Sequence, residues 1–202
     1  MLLDLEDSQL LLVDYQIQLM PAIHDHGQVL ANALRLARIA QLLQVPVWGT
    51  EQNPAGLGRL VPELRSLTGH VVEKMHFSAC TDGLGNHLRP LARQQQGGNA
   101  RSLPRHLQKA IPVQAPSGNT IVVSGCEAHV CLLQTALDLL EEEFEVWVVA
   151  DACGSRSERN RDAAFDRLVG AGAELVTTEM VAFEWLRTAE HPLFKQVLAL
   201  LK

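Results

Sequence analysis

Three residues whose types can act together in catalysis stand close to the ends of predicted strands: a carboxylate, an amine and a thiol. Asp14 and Lys74 each directly follow an extended run, and Cys131 ends the segment 125–131, which joins a predicted strand to a helix. In open α/β sheets, ligands bind beyond the carboxyl ends of the strands. The three side chains are therefore expected to converge on one crevice, although they are far apart in sequence.

A cysteine thiol that lies beside a carboxylate and an amine can act as a nucleophile. A cysteine near a helix N-terminus has its thiolate favoured by the positive end of the helix dipole and by unsatisfied backbone N–H groups. A neighbouring lysine favours the thiolate further, and an aspartate within hydrogen-bond reach can remove the thiol proton. Cys131, Lys74 and Asp14 are therefore candidates for nucleophile, charged partner and base.

Each of these residue types also has a purely structural interpretation. A buried unpaired cysteine commonly behaves as a small apolar side chain, which is the interpretation favoured for Cys80, Cys126 and Cys153. Asp14 could cap a following helix, and Lys74 could be a solvated charge at a strand end. Taken singly, each structural interpretation is at least as good as catalysis. The joint placement of the trio at strand ends is what favours a site.

The hydrophobic pattern around these residues predicts an α/β fold. Six short apolar or β-branched runs are predicted strands, at 9–13, 45–48, 70–73, 120–124, 145–150 and 174–177. Between most of them apolar residues recur at helical spacing, as at Val29, Ala33, Leu36, Ala40 and Leu43. This alternation predicts a Rossmann-like, three-layer α/β/α fold around a six-stranded parallel sheet. We expect one domain over residues 1–202, with a polar surface loop at about 93–105.

Composition and charge narrow the class of protein. The 202 residues include 23 Asp and Glu against 17 Lys and Arg, and this net charge of −6 argues against a nucleic-acid partner. No apolar run is long enough to span a bilayer, and acidic residues stand where a secretory signal would be basic. We therefore expect a cytoplasmic protein with a small-molecule or protein partner, no membrane association, and four free cysteine thiols.

Several blocks of the sequence resemble the signature of isochorismatase-like hydrolases. Residues 11–16 (LLVDYQ), 73–78 (EKMHFS) and 125–131 (GCEAHVC) occur in the family's order. Further similarity continues through 148–157, 170–173 and 177–179. Segments 50–58, 127–131 and 191–195 are similar to the isochorismatase domain-containing subgroup. The resemblance covers essentially the whole chain outside the Gln-rich loop.

The resemblance implies Asp14 as base, Lys74 as the partner that orients and charges the site, and Cys131 as nucleophile. It also implies a cis peptide between Cys126 and Glu127, and an oxyanion hole made by the backbone N–H groups of Glu127 and Cys131. The implied reaction is attack on an amide, imide or ester, followed by hydrolysis of a thioester. True isochorismatases cleave a vinyl ether and typically lack the cysteine, so Cys131 favours the amidase-like branch.

The resemblance also bears on cofactors, substrate contacts and assembly. Nicotinamidases of this superfamily have an Asp-x-His metal motif where this chain has Glu51-Gln52-Asn53, so we expect no metal and no cofactor. Gln52, Phe77 and His129 are candidate substrate contacts, with a structural or interface role equally open for His129. Family members usually form dimers, tetramers or larger homo-oligomers. Isochorismatase-type hydrolysis and a catalytically silent scaffold remain as alternative functions.

Overall fold

A parallel β-sheet forms the centre of the structure, a computed structural model that describes residues 2–89 and 118–202. Its strands are β1 (Ser8–Val13), β2 (Val47–Gln52), β3 (His70–Lys74), β4 (Thr120–Gly125), β5 (Glu145–Val149) and β6 (Glu174–Val176). All pairings are parallel, in the order β3-β2-β1-β4-β5-β6. The prediction of a six-stranded parallel sheet is confirmed. The surface loop predicted at about 93–105 lies outside the described residues.

Helices connect the strands and cover the sheet. They are α1 (His26–Leu42), α2 (Pro54–Leu57), α3 (Pro62–Arg65), α4 (Leu84–Leu88), α5 (Leu133–Glu141), α6 (Glu158–Ala171), α7 (Thr178–Leu186) and α8 (Phe194–Leu201). A π-helical turn (Ala128–Leu132) leads directly into α5. In the part of the chain that the structure describes, no helix is long and apolar enough to span a bilayer.

Alternate residues of β1 pack against different helix layers. Leu10 and Leu12 belong to the cluster formed with α1, α7 and α8, whereas Leu11 and Val13 belong to the cluster formed with α5 and α6. Since helices cover both faces, every residue of β1 is buried, as is usual for a central parallel strand. The predicted three-layer α/β/α architecture is confirmed.

The strand order reverses at β1, which lies between β2 and β4. The register pairs Val13 with both Thr50 and Gly125, and Gln52 with Lys74. The carboxyl ends of four neighbouring strands therefore meet at one edge of the sheet. In open α/β sheets this reversal point is where ligands bind.

The fold makes a specific prediction about the last residue of β4. A Cβ added at Gly125 would collide with the Val13 carbonyl oxygen and lie 2.9 Å from the Val13 Cα, both on the paired strand. A backbone cannot yield as a flexible side chain does, so we expect Gly125→Ala to lower the free energy of unfolding by at least about 2 kcal/mol. Urea denaturation monitored by circular dichroism would measure this loss.

A matched substitution is available at Gly170 in α6, where an added Cβ would meet no other atom within 4 Å. Because alanine is the better helix former, Gly170→Ala should raise the free energy of unfolding by about 0.5–1 kcal/mol. Equal effects of the two substitutions would contradict the close approach of β1 and β4 at Gly125.

Candidate active site

Asp14 is completely buried directly after β1. Its backbone lies in the left-handed region, with φ of 54°, which costs a residue other than glycine about 1–3 kcal/mol and is found most often at functional sites. Its Oδ1 accepts a hydrogen bond from Thr50 Oγ1 at 2.6 Å, and its Oδ2 accepts one from Lys74 Nζ at 2.7 Å. Neighbours from β2 and β3 therefore fix the orientation of the carboxylate.

Lys74, the last residue of β3, is buried with its ammonium fully hydrogen-bonded. Nζ donates to Asp14 Oδ2 at 2.7 Å, to Gln52 Oε1 at 2.8 Å and to the Phe77 carbonyl oxygen at 3.0 Å. A further carbonyl oxygen, that of His76, lies at 3.3 Å. An ammonium has only three N–H donors, so these acceptors use all of them. The charge is therefore held in place without access to solvent.

Cys131 lies on the π-helical turn after β4 and is only 6% exposed. Its Sγ is 3.9 Å from Gln52 Oε1, the same oxygen that accepts a hydrogen bond from Lys74. One amide oxygen thus joins the thiol to the ion pair of Asp14 and Lys74. The structure brings together the three residues that the sequence selected, each from a different strand end.

The protonation state of the thiol differs from the sequence-based expectation. Burial has the largest effect and, with the nearby carboxylate of Asp14, raises the pKa of Cys131 to about 12, whereas Lys74 acts in the opposite direction. The expectation that the lysine and the helix terminus would favour the thiolate underestimated burial and the charge of Asp14. At neutral pH the resting protein therefore holds a thiol, and its use as a nucleophile requires a base.

The segment before Cys131 has an unusual backbone, because the peptide bond between Cys126 and Glu127 is cis. The neighbouring peptides are tied to the loop after β5: Ala128 N donates to the Gly154 carbonyl oxygen at 2.7 Å, and Gly154 N donates to that of Gly125 at 3.1 Å. Among the described residues, the amide N–H of Glu127 has no acceptor. This donor is therefore available to a bound molecule.

The side chain of Glu127 is buried and paired with Arg156. The guanidinium donates from Nε and Nη2 to the two carboxylate oxygens at 2.6–3.2 Å, and the backbone N–H of Arg156 donates to Oε2 at 2.9 Å. These hydrogen bonds are the main cause that lowers the pKa of Glu127, so the carboxylate is ionised at neutral pH.

The three candidate substrate contacts are placed differently. Gln52 is part of the hydrogen-bond network that links Lys74 to Cys131. Phe77 holds the lysine through its carbonyl oxygen, and the residue is 53% exposed. The ring nitrogens of His129 lie 3.0 Å from Ser155 Oγ and 3.3 Å from Asn160 Nδ2, so its polar atoms are engaged with α6 and the loop before it. Substrate contact by these three residues stays a prediction.

Sequence reasoning missed residues that fix the position of the candidate site residues through hydrogen bonds. Thr50 orients Asp14, and Gln16 braces the end of β2 by donating to the Gln52 carbonyl oxygen and accepting from the Gln52 N–H, both at 2.9 Å. Arg156 holds Glu127. Threonine, glutamine and arginine are common in many kinds of position, so their residue types alone do not indicate a role in the site. Their hydrogen-bond partners are identified only by the strand register and the loop contacts.

The other cysteines are free thiols in buried or partly buried positions. Burial raises the pKa of Cys80 and Cys153 to about 12, and raises that of Cys126 as well. Across residues 2–89 and 118–202, no group of three or more His, Cys, Asp and Glu side chains is placed to hold a metal ion.

This protein is a parallel α/β protein with a candidate active site at the sheet edge. A buried thiol, carboxylate and ammonium meet there, where the strand order reverses. Sequence comparison gives the family. A family model for the isochorismatase domain matches residues 108–180, and isochorismatase domain-containing protein 2A of Mus musculus is 35% identical over 98% of this chain and 84% of that protein. The chain belongs to the isochorismatase-like hydrolase family.

Solved structures agree with this assignment. The MAR1 ribonuclease of Caenorhabditis elegans is 30% identical, with a TM-score of 0.80 over 99% of this chain and 92% of that chain. YcaC of Pseudomonas aeruginosa, solved with hexane-2,5-diol and covalent acrylamide, is 26% identical, with a TM-score of 0.79 and coverage of 98% and 91%. YcaC of Escherichia coli, described as an octameric hydrolase of unknown specificity, is 27% identical, with a TM-score of 0.76 and coverage of 99% and 87%.

The electrostatics of the site predict opposite effects of two substitutions on the Cys131 thiol. Asp14→Asn removes the charge that raises the thiol pKa, so alkylation of Cys131 by iodoacetamide should accelerate at a fixed pH between 7 and 9. Lys74→Met removes the opposing charge, so alkylation should slow. In the unaltered protein the rate should rise about tenfold per pH unit, without a plateau near neutral pH. Mass spectrometry of the Cys131 peptide would give these rates.

A Cys131→Ala protein provides the background alkylation of the other thiols. Lys74→Met should also destabilise the fold by about 3–5 kcal/mol, because Asp14 would remain as a buried charge without its partner. Slower alkylation after Asp14→Asn would contradict this prediction and would show that Asp14 affects alkylation mainly as a base that removes the thiol proton, not through the effect of its charge on the thiol pKa.

Proposed function

We propose that the protein is a cysteine hydrolase that acts on a small amide, imide or ester through a thioester intermediate. The observation that carries the proposal is the buried contact of Cys131 Sγ with Gln52 Oε1, which joins the thiol to the Asp14–Lys74 ion pair. Retention of a buried carboxylate and ammonium beside a thiol is costly for folding and useful for proton transfer.

The proposed chemistry begins with removal of the thiol proton. Because burial and Asp14 keep Cys131 protonated at rest, the carboxylate of Asp14 takes the proton as the sulfur attacks the acyl carbon. The new C–S bond forms as the carbonyl π electrons move to oxygen. Collapse of the tetrahedral intermediate then expels the amine or alcohol, which receives the proton from Asp14.

Water completes the reaction. Asp14 removes a proton from a water molecule, which attacks the thioester carbon, and the C–S bond breaks to give a carboxylic acid and the restored thiol. Lys74 holds Asp14 in position throughout, since its ammonium donates to Oδ2. The backbone N–H groups of Glu127 and Cys131 form the proposed oxyanion hole, and each such donor contributes about 3 kcal/mol to transition-state stabilisation.

Two further observations favour this proposal over its alternatives. Acrylamide is an electrophile that thiols attack, and a relative with 26% identity was solved with covalent acrylamide. A cysteine at position 131 favours acyl transfer over vinyl ether hydrolysis, for which no covalent nucleophile is needed. For a scaffold protein there would be no reason to keep the three residues together in a buried site.

A nucleic-acid substrate is disfavoured by charge. Another relative is described as a ribonuclease, but this chain has a net charge of −6. Proteins that bind nucleic acids generally present a basic surface to the phosphates. We therefore propose a small acyl compound, and not a nucleic acid, as the substrate.

The proposal predicts that turnover depends on one of four thiols. In a screen of small amides, imides and esters, Cys131→Ala should abolish hydrolysis of every compound that the unaltered protein cleaves. The free energy of unfolding should change by no more than about 1 kcal/mol, because only one sulfur atom is lost. Cys80→Ala is the control and should keep full activity. Undiminished turnover by Cys131→Ala would exclude the thioester mechanism.

We also propose that the chain forms homo-oligomers, a dimer or larger, since the Escherichia coli relative is an octamer by its description. Light scattering at micromolar concentration should then give a mass of at least twice the 22.2 kDa of one chain. A monomer under these conditions would contradict this proposal without affecting the proposed chemistry.

A further inference from the structure

Glu127 combines two features on one residue. Its backbone N–H, in the cis peptide bond that joins it to Cys126, is one of the two donors of the proposed oxyanion hole. Its side chain is a buried carboxylate that is 6% exposed. A buried carboxylate is unfavourable unless hydrogen bonds satisfy it. Among residues 2–89 and 118–202, every hydrogen bond to it comes from Arg156, whose own side chain is 66% exposed and reaches inward from the surface.

The contacts of Arg156 fix both the position and the plane of the Glu127 carboxylate. Nε donates to Oε1 at 3.2 Å and to Oε2 at 3.0 Å, and Nη2 donates to Oε1 at 2.6 Å. A planar guanidinium that binds both carboxylate oxygens gives a defined geometry, which a lysine ammonium does not. The backbone N–H of Arg156 adds a fourth contact at 2.9 Å, so the clamp is part of the loop itself.

The same loop binds the segment before the nucleophile along its backbone. Gly154 exchanges hydrogen bonds with Gly125 and Ala128, and Ser155 Oγ lies 3.0 Å from His129 Nδ1. Glu127 is thus held on both sides by backbone contacts and at its side chain by Arg156. Rotation of its peptide plane would break the side-chain contacts.

We infer that Arg156 is a positioning residue for acyl transfer, which holds the Glu127 peptide so that its N–H faces the oxyanion of the tetrahedral intermediate. This inference rests on the proposed function. Arg156 contacts neither the nucleophile nor the base in this structure, so its effect should be confined to steps in which an oxyanion forms.

Two reactions of Cys131 separate this role from general support of the fold. With 4-nitrophenyl acetate, the sulfur attacks the carbonyl carbon, the C–S bond forms, and the C–O bond breaks to release 4-nitrophenolate. Asp14 takes the thiol proton, and water then cleaves the thioester to acetate. With iodoacetamide, the thiol first loses its proton to solvent. The sulfur then forms a C–S bond to a saturated carbon as the C–I bond breaks and iodide leaves, and no oxyanion forms. Only the first reaction uses the oxyanion hole.

The test compares Arg156→Gln with Arg59→Gln. Arg59 is a matched control, because it is 62% exposed and binds the 1% exposed side chain of Glu51 at 2.8 Å, outside the proposed oxyanion hole. Arg156→Gln should lower the rate of 4-nitrophenolate release by about 100-fold, the typical effect of a lost or misplaced oxyanion donor. It should leave the rate of Cys131 alkylation within about twofold of the unaltered protein. Arg59→Gln should leave both rates unchanged.

Arg156→Lys should recover only part of the lost rate, since an ammonium keeps the charge but not the two-oxygen geometry. Glu127→Gln provides a second variant of nearly identical shape, which weakens the clamp without removing either side chain. It should slow 4-nitrophenolate release and leave alkylation unchanged.

Three results would overturn the inference. The first is an unchanged rate of 4-nitrophenolate release in both Arg156→Gln and Glu127→Gln. The second is an equal loss of acylation and alkylation in the Arg156 or Glu127 variants, which indicates general disruption of the site. The third is a wild-type protein whose release of 4-nitrophenolate does not depend on Cys131, which overturns the proposed function together with the inference. The first two leave the proposed function intact, so the failures are distinguishable.

Discussion

The buried ion pair between Asp14 and Lys74 is the interaction on which the arrangement of the site depends. Both side chains have no exposed surface, and their oxygen and nitrogen are 2.7 Å apart. Two charges away from water are stable only when nearly every hydrogen-bonding group around them is satisfied. Thr50, Gln52 and the Phe77 carbonyl oxygen provide these partners, and together they require that β1, β2 and β3 end at the same level.

The same ion pair also affects the protonation of the Cys131 thiol. Cys131 lies beside an ion pair whose charges have opposite effects on its pKa, and burial adds to the effect of the carboxylate. A protonated thiol next to a carboxylate differs from a pre-formed thiolate, because the proposed attack by sulfur requires the thiol proton to move. A protonated thiol reacts more slowly with electrophiles than a thiolate does, and the proposed mechanism therefore assigns removal of its proton to Asp14.

The loop after β5 makes a separate contribution. Through Gly154, Ser155 and Arg156 it binds the segment that carries the cis peptide and leads to Cys131. Relatives with this fold are described as a ribonuclease and as a hydrolase of unknown specificity, so the fold alone does not name a substrate. The proposed reaction type rests on Cys131, Asp14 and the backbone N–H groups of Glu127 and Cys131, whereas the choice of substrate depends on the side chains around them.

The sequence by itself was sufficient to predict the fold class and to select Asp14, Lys74 and Cys131 as candidate site residues. Periodic apolar residues predicted the helices, and six short runs predicted the strands. Asp14, Lys74 and Cys131 stood out because each comes after a predicted strand, and parallel strands bring their carboxyl ends to one edge of the sheet. These features are local or repeat at fixed spacing, so they can be read without coordinates. The family resemblance added the position of the cis peptide.

Tertiary structure alone decided how these groups act on one another. The raised pKa of Cys131 results from burial and from the carboxylate of Asp14, 117 positions earlier in the chain. Neither the burial of the thiol nor its distance from Asp14 can be read from the local sequence. The partners of the site, Gln16 for Gln52, Thr50 for Asp14 and Arg156 for Glu127, depend on strand register and on loops meeting at the sheet edge. Hydrogen bonds between distant residues require distances and angles, and only the folded chain provides them.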